Sequence, residues 1–404
     1  MSPSGAGGRV RARAGSPLAG DRLFHWEYQA PPVAPQAFRV TGGRPLRGRL
    51  RVSGSKNAAL KMLAAATLTG ERCRFTNVPE IEDVRVMAGV LQDLGVTVDH
   101  PAEGTYEVAA GDVEWLFVPL EAAAKMRASF ILLGPLLGRF GRVIISNPGG
   151  DRIGRRPVNL HVDAMRALGA EIDYRNGYYF ARAPGRLRGA ELTFPQVTVM
   201  GTENAILAAV LADGTTTIRP AAREPEVDDL IAFLQKMGAE VSRTAPDTIV
   251  VSGRRRLRGA DHQIISDRIE AGTFVVAAAV TGGEVTLESA PCEHLGAFLE
   301  VMAQTGVAVA CGRDTIEVRG ARVELVDDHN ALIHGPSPLH GAEVEMGDLR
   351  AGASLIVAAL AAQGESLIHG GHHVRRGYEN IERKFLDLGA QVELVSDSQA
   401  GISA

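Results

Sequence analysis

The stretch Asn57-Ala58-Ala59-Leu60-Lys61-Met62-Leu63-Ala64-Ala65-Ala66-Thr67-Leu68 is apolar almost all the way round a helical wheel. A helix without a polar face has no side to offer water, so it belongs in an interior. Residues 126–137, 203–212, 271–280 and 351–362 read the same way. Several of these stretches run into a short β-branched strand, at 143–146, 216–219 and 284–287. A second kind of helix alternates with the first. Val84, Met87, Leu91 and Leu94 fall three and four apart on one stripe, and Gly95 suits the left-handed residue that closes such a helix. Val162, Met165 and Leu168 lead in the same way to Gly169, and Leu230, Ile231, Leu234 and Met237 lead to Gly238. Leu295, Phe298, Leu299 and Met302 lead to Gly306, and Ile381, Phe385 and Leu388 lead to Gly389.

The repeating unit is therefore buried helix, strand, surface helix, glycine, strand. It occurs five times, with closing glycines 68 to 83 residues apart. Self-similarity of this kind decides architecture. The fold class is α/β, with helices inside and sheets outside. An ordinary doubly wound sheet is the alternative, but it would bury Val/Ile-rich strands between surface helices, the reverse of this pattern.

Composition bounds what such a chain does. At 404 residues and 45% hydrophobic it fills at least two cores, since single cores stop growing near roughly 250–300 residues. A net charge of −4 without a concentrated basic face excludes nucleic acid as a partner. No apolar run approaches the ~18 residues of a membrane span. Residues 130–137 come nearest and are flanked by Arg127 and Arg139. Residues 1–36 are rich in Gly, Pro and Arg and lack the apolar stretch of a secretory signal, so they read as a disordered lead-in. Cys73, Cys292 and Cys311 are odd in number and form no CxxC pair, so neither a disulfide framework nor a zinc site is expected. A cytoplasmic location follows from these features together.

Ser53-Gly54-Ser55-Lys56-Asn57-Ala58-Ala59 opens the first buried helix. Further motifs are Met126-Arg127-Ala128-Ser129, Pro148-Gly149-Gly150-Asp151-Arg152-Ile153-Gly154 and Arg156-Pro157-Val158-Asn159-Leu160-His161. They continue with Gly201-Thr202-Glu203-Asn204, Asp267-Arg268-Ile269-Glu270, Asp348-Leu349-Arg350-Ala351 and Arg376-Gly377-Tyr378-Glu379. In this order, over residues 38–395, they resemble the motifs of the UDP-N-acetylglucosamine 1-carboxyvinyltransferase family of enolpyruvyl transferases. That resemblance implies a two-domain inside-out α/β barrel built from six β-α-β-α-β-β repeats, with the active site between the domains. Residues 56–265 would form a first, three-repeat domain, and residues 37–55 with 266–404 the second. It also implies transfer of the enolpyruvyl group of phosphoenolpyruvate to the 3-hydroxyl of UDP-N-acetylglucosamine, with release of phosphate and with neither cofactor nor metal.

Phosphoenolpyruvate is a small polyanion and calls for several cations that stay charged. Taken singly, a lysine or arginine reads as a solvated surface charge. As a set, Lys56, Arg127, Arg156, Arg350 and Arg376 match the positions at which the family holds phosphate and carboxylate. Lys56 also sits at a helix start, where free N–H groups favour anions. Asn57, Asn159, Leu160 and Thr198 match substrate contacts. The vinyl carbon must be protonated, and Asp151 stands where the family often has a Cys for that task. A turn-capping role for Asp151 is the alternative. Glu224, Glu226, Asp267 and Glu270 match acidic positions lining the family's cleft, and read equally as caps and surface pairs. His369, His372 and His373 make poor metal-ligand geometry.

The chain departs from the family in three places. Five repeats stand where six are expected, because residues 315–318 pass directly to 323–325 and on to Asp348-Leu349-Arg350. The missing repeat is the one that carries the family's Phe-Pro-Thr-Asp segment, with the base toward the sugar hydroxyl and an Arg of the phosphoenolpyruvate site. Asn159 replaces a usual Asp near the uracil, and Thr198-Val199-Met200-Gly201 replaces a Ser-Val-Gly-Ala loop at the diphosphate. These departures keep open another nucleotide acceptor, or a non-catalytic paralogue. A domain short of one repeat also leaves apolar surface bare unless it repacks or self-associates into a homo-oligomer.

Overall fold

The computed structural model of the chain describes residues 36–113, 115–150, 157–319 and 338–396. Two strands come first, β1 (Gln36–Thr41) and β2 (Arg47–Arg51). Unit one is α1 (Lys56–Ala65), β3 (Cys73–Thr76), α2 (Glu82–Asp93), β4 (Thr97–Ala102) and β5 (Thr105–Ala109). β6 (Phe117–Val118) leads into unit two, made of α3 (Leu133–Phe140), β7 (Arg142–Ser146), α4 (Asn159–Ala167), β8 (Glu171–Arg175) and β9 (Tyr178–Arg182). β10 (Glu191–Thr193) precedes unit three, with α5 (Val199–Ala209), β11 (Thr215–Arg219), α6 (Pro225–Lys236), β12 (Glu240–Ala245) and β13 (Thr248–Ser252). β14 (Asp261–Gln263) precedes unit four, with α7 (Arg268–Val280), β15 (Glu284–Glu288), α8 (Gly296–Gln304), β16 (Ala308–Cys311) and β17 (Thr315–Arg319). β18 (Glu343–Glu345) precedes unit five, with α9 (Leu349–Ala361), β19 (Glu365–His369), α10 (Ile381–Asp387) and β20 (Gln391–Ser396).

Odd-numbered helices lie inside and even-numbered helices outside, as their apolar patterns require. Nine of the ten residues of α1 are buried. Gly95, Gly169, Gly238, Gly306 and Gly389 close the five outer helices with φ between 81° and 94°, a conformation only glycine takes without steric cost. The second inner helix differs from expectation. Residues 127–132 form a 3-10 turn and the α-helix starts at Leu133, because Pro135 has no N–H to bond back to residue 131. The third inner helix starts earlier than expected, at Val199, because the Thr198 hydroxyl accepts from Gly201 N–H and caps it.

All five sheets share one plan. The first strand of the unit pairs antiparallel with the last, the middle strand lies beyond it, and a strand from elsewhere adds parallel to the outer edge. The borrowed strands link the units. β6 joins β7, β10 joins β11, and β14, leaving unit three, joins β3 of unit one, which closes a ring of three sheets. In the remainder β2 joins β15, β18 joins β19, and β1 takes the place of the last strand of unit five, between β19 and β20. Among the described residues this ring closes on two sheets. The N-terminal segment thus supplies two strands to two sheets, broken at Gly42-Gly43. Each ring has its own apolar core, one built from residues between Ala58 and Ile264 and the other from Phe38–Val52 and residues beyond Ala271.

The two-sheet ring leaves part of its inner helices bare. On α9, Ala351, Ser354 and Ala358 are exposed along one stripe with Leu355 half-buried beside them. Val280 at the end of α7 is 42% exposed and Val301 of α8 is 56% exposed. α8 has one charged residue, Glu300, and buries only Leu299. In the three-sheet ring the corresponding helix faces are covered by a third unit.

Unit four also corrects the expectation of unpaired cysteines. Cys292, after β15, and Cys311, at the end of β16, are disulfide-bonded across a Cα–Cα distance of 6.1 Å. The hairpin brings together residues 19 apart in sequence, to a span that a disulfide bridges. Cys73 is free and buried.

Candidate active site

The two connections between the rings lie side by side. Ser55 N–H donates to the Ile265 carbonyl (2.7 Å) and Asp267 N–H donates to the Ser53 carbonyl (2.8 Å). Gly54 bridges Ser266 at this crossing, and a Cβ on Gly54 would lie 1.7 Å from the Asn77 carbonyl oxygen, so no larger residue fits. Immediately after it α1 begins, with Ser55 accepting from Ala58 N–H. Lys56 is thereby placed at a helix start where two halves of the protein meet.

Lys56, Arg350 and Arg376 gather at this crossing. Lys56 Nζ is 2.7 Å from Asp83 Oδ2. Arg376, from the two-sheet ring, donates from Nε to Asp83 Oδ1 (3.0 Å) and from Nη2 to Oδ2 (3.4 Å). Arg350, in the first turn of α9, lies with its guanidinium 4.9 Å from the Tyr378 ring centroid, and its buried Nη1 has no hydrogen-bond acceptor among the described residues. Burial lowers the Lys56 pKa; the Asp83 carboxylate opposes that shift, and the Arg376 and Arg350 charges add to it. A buried arginine N–H without an acceptor, beside two more cations, is an arrangement that an anion completes.

The acidic candidates do different work here. Asp267 caps α7 by accepting from Ile269 and Glu270 N–H groups, and its Oδ2 also accepts from Lys56 N–H at 3.2 Å. Glu270 pairs with Lys384 and accepts from Ser53 N–H at 3.1 Å, so it ties the crossing to α10. Glu379 accepts from the Ser53 hydroxyl and, at 2.9 Å, from Glu80 N–H, which fastens unit five to unit one. Glu226 pairs with Arg268 at 3.2 Å. Glu224 precedes Pro225 at the start of α6, with Oε2 buried and without a hydrogen-bond partner among the described residues.

A second group lies on unit two. Arg127, Pro157, Val158 and Asn159 line a cavity of about 460 Å³ together with Asn147, Pro148, Val162, Asp163, Arg166, Tyr174 and Tyr179. That volume suits a small-molecule ligand. Arg127 Nη2 donates to the Pro157 carbonyl at 3.5 Å. The Tyr174 hydroxyl accepts from Asn147 Nδ2 at 2.6 Å, and its ring centroid is 4.6 Å from that of Tyr179. Behind the cavity, Asn204 bonds Gly134 N–H (2.6 Å), the Phe130 carbonyl (3.0 Å) and His161 Nδ1 (3.1 Å), locking α4 against α3 and α5. Burial first, and the Arg127 charge second, push the His161 pKa down to about 4.

Asn57 follows Lys56 on α1 and is half-buried, and Leu160 packs against the three-sheet core. Thr198 caps α5. Met200 packs against the same core, so its bulk is taken up by the protein interior. Asp151 and Arg156 lie outside the described residues, but the loop before them is in place: Gly149 and Gly150 N–H groups donate to the Ala123 and Ala124 carbonyls, and Gly150 abuts Arg127. His369 Nε2 lies 2.8 Å from Glu343, while the His372 and His373 rings lie tilted against each other with centroids 4.1 Å apart. Sequence reasoning missed Asp83, whose place in the first turn of a surface helix reads as ordinary dipole compensation. It also missed Asp163, Arg166, Tyr174 and Tyr179, which no motif marks.

The scaffold is that of the enolpyruvyl transferases. It superposes on the crystal structure of the enolpyruvyl transferase NikO from Streptomyces tendae with a TM-score of 0.77 at 20% identity, covering 90% of this chain and 99% of that one. It superposes on EPSP synthase from Acinetobacter baumannii with a TM-score of 0.63 at 18% identity, covering 89% and 100%. The sequence profile of EPSP synthase (3-phosphoshikimate 1-carboxyvinyltransferase) matches residues 40–327 and 315–385, in two overlapping pieces. UDP-N-acetylglucosamine 1-carboxyvinyltransferase of Acinetobacter baylyi is 39% identical over 417 positions, covering 89% of this chain and 99% of the relative. That of Solibacter usitatus is 40% identical with the same coverage. The chain belongs to the UDP-N-acetylglucosamine 1-carboxyvinyltransferase family of enolpyruvyl transferases. Since 89% of 404 residues is about 360, roughly 57 of the 417 aligned positions have no counterpart here, about one structural unit.

Proposed function

We propose that this chain transfers the enolpyruvyl group of phosphoenolpyruvate to the 3-hydroxyl of UDP-N-acetylglucosamine, releasing phosphate, as a cytoplasmic step in making peptidoglycan precursors. The observation that carries the reading is the convergence of Lys56, Arg350 and Arg376, drawn from both rings, at the crossing where α1 begins. Family membership supplies the reaction. In this reading the three cations hold the phosphate and carboxylate of phosphoenolpyruvate, joined by Arg127 and Arg156. The cavity beside Arg127 and Asn159, together with Asn57, Leu160 and Thr198, takes the nucleotide sugar. The rings then act as the two domains of the enzyme.

Asp151 delivers a proton to the methylene carbon of phosphoenolpyruvate, which leaves C2 electron-poor and open to the acceptor hydroxyl. Loss of a proton from the same methyl carbon, with breakage of the C2–O bond to phosphate, restores the vinyl group on the product. A positioned acid contributes about 10²–10⁴-fold to such a step. The base toward the hydroxyl belongs, in the family, to the unit that this chain lacks. That absence favours a second reading, a non-catalytic paralogue that binds phosphoenolpyruvate or a nucleotide, while Asn159 and Met200 favour a third, in which the acceptor is another nucleotide. The bare faces of α7, α8 and α9 support self-association, which would cover what a third unit covers in the other ring.

Phosphate release from phosphoenolpyruvate, measured with UDP-N-acetylglucosamine, with UMP and without acceptor, tests these readings. Release with UDP-N-acetylglucosamine alone, abolished by Asp151→Ala, is the expected result. Release only with UMP would move the protein to a different acceptor. No release from folded protein in any condition would sink the catalytic reading and leave a ligand-binding paralogue.

A further inference from the structure

Asp83 is the second residue of α2, and its side chain is only 4% exposed. Its two oxygens meet cations from opposite rings: Oδ2 faces Lys56 and also accepts from Arg376 Nη2, while Oδ1 accepts from Arg376 Nε. Among the described residues, the groups that face Lys56 come from four elements: Asp83 of α2, Arg376 before α10, Arg350 of α9, and Asp267 at the start of α7. Asp267 accepts from the Lys56 backbone N–H and from α7, so its charge is spent on two helix starts. Asp83 is left as the carboxylate that meets the Lys56 ammonium directly.

A buried ammonium beside two guanidinium groups loses its proton readily, because desolvation and like charge both disfavour the charged form. A neutral amine does not hold a phosphate or carboxylate by charge. A bound anion would restore the balance, but only after binding. We propose that Asp83 is a positioning residue of the anion site, keeping Lys56 charged and holding Arg376 of the opposite ring beside it until a phosphate- and carboxylate-bearing substrate takes over those contacts. The proposal rests on the function proposed above, so its test needs one readout that does not depend on turnover.

Asp83→Asn keeps the shape of the side chain and removes its charge. The first measurement is carbamylation of Lys56 by cyanate in the full-length, substrate-free protein, read residue by residue by mass spectrometry between pH 6 and 10. Only the neutral amine reacts, so the Asn variant should reach the wild-type labelling rate at a pH lower by about one unit or more, a tenfold change in the neutral fraction. The second is phosphoenolpyruvate affinity by calorimetry over the same pH range. Its alkaline limb should move down by the same amount in Asp83→Asn and return toward wild type in Asp83→Glu. A merely structural role would weaken binding equally at every pH and leave the labelling profile in place. Coincident labelling profiles for wild type and Asp83→Asn, with unchanged thermal unfolding, would overturn the proposal. Shifted labelling in a protein whose wild type binds no phosphoenolpyruvate would uphold the role of Asp83 and overturn the assigned substrate.

Discussion

Glu203 of α5 lies at the centre of the three-sheet ring, fully buried, and its contact among charged groups is Lys61 Nζ of α1 at 3.4 Å. Apart from that ion pair, neither of its oxygens has a hydrogen-bond partner among the described residues. Burial pushes its pKa up from 4.5 to about 7; Lys61 pulls it down, while Glu226 and Glu224 push it further up. The folded state therefore holds a proton there that the unfolded chain releases near pH 4.5. The stability tied to that proton is fully present below about pH 4.5 and is lost as pH rises through about 7, a total of about 3 kcal/mol at 1.36 kcal/mol per unit. Glu203→Gln matches the protonated form in shape and charge. The two proteins should coincide near pH 4.5, and the variant should be the more stable by about 3 kcal/mol above pH 7.5. His161 works in the opposite sense. With its pKa lowered to about 4, it contributes stability present above about 6.5 and lost as pH falls through 4. The two terms offset each other in the wild type, so only the difference between variant and wild type isolates Glu203. Two cores make a single melting point ambiguous, so the assay is hydrogen exchange of peptides covering α1 and α5, in wild type and variant, at pH 5 and pH 7.5. A difference in exchange free energy that is the same at both pH values would refute the reasoning.

Three further outcomes are expected. Fosfomycin alkylates a cysteine thiolate, so with Asp151 in that place it should give no time-dependent covalent labelling, whereas Asp151→Cys should be labelled; mass spectrometry of the intact chain decides. Thiol titration of denatured, unreduced protein should find one reactive thiol, Cys73, rising to three after reduction, and three before reduction would exclude the Cys292–Cys311 bond. Sedimentation of the wild type at tens of micromolar should show a mass above one protomer, and Val301→Asp with Leu355→Glu should return it to one. A wild type that sediments as a single protomer would remove self-association as the cover for α7, α8 and α9.

The periodicity of single stretches was enough to establish the units. All-round apolar helices had to be inside, stripes closed by glycine had to be outside, and their count came out at five, because these features depend only on residues within a few turns of each other. Lys56, Arg350 and Arg376 were legible as well, each through the motif around it. The carboxylate shared by Lys56 and Arg376 was not. Asp83 meets Arg376 across 293 residues of chain, and nothing in its local sequence sets it apart from any acidic residue in a first helical turn. The same holds for the split of 36–51 between two sheets, for the tyrosine-lined cavity and for the Cys292–Cys311 pair. Pairing of that kind is chosen by which edges and faces remain open once the units have packed, a property of the whole chain. What each segment is, and how many units there are, follow from residues close together in the chain. That the second ring, among the described residues, closes on two sheets, and that one buried carboxylate joins cations of both rings, follow from packing between segments far apart in sequence.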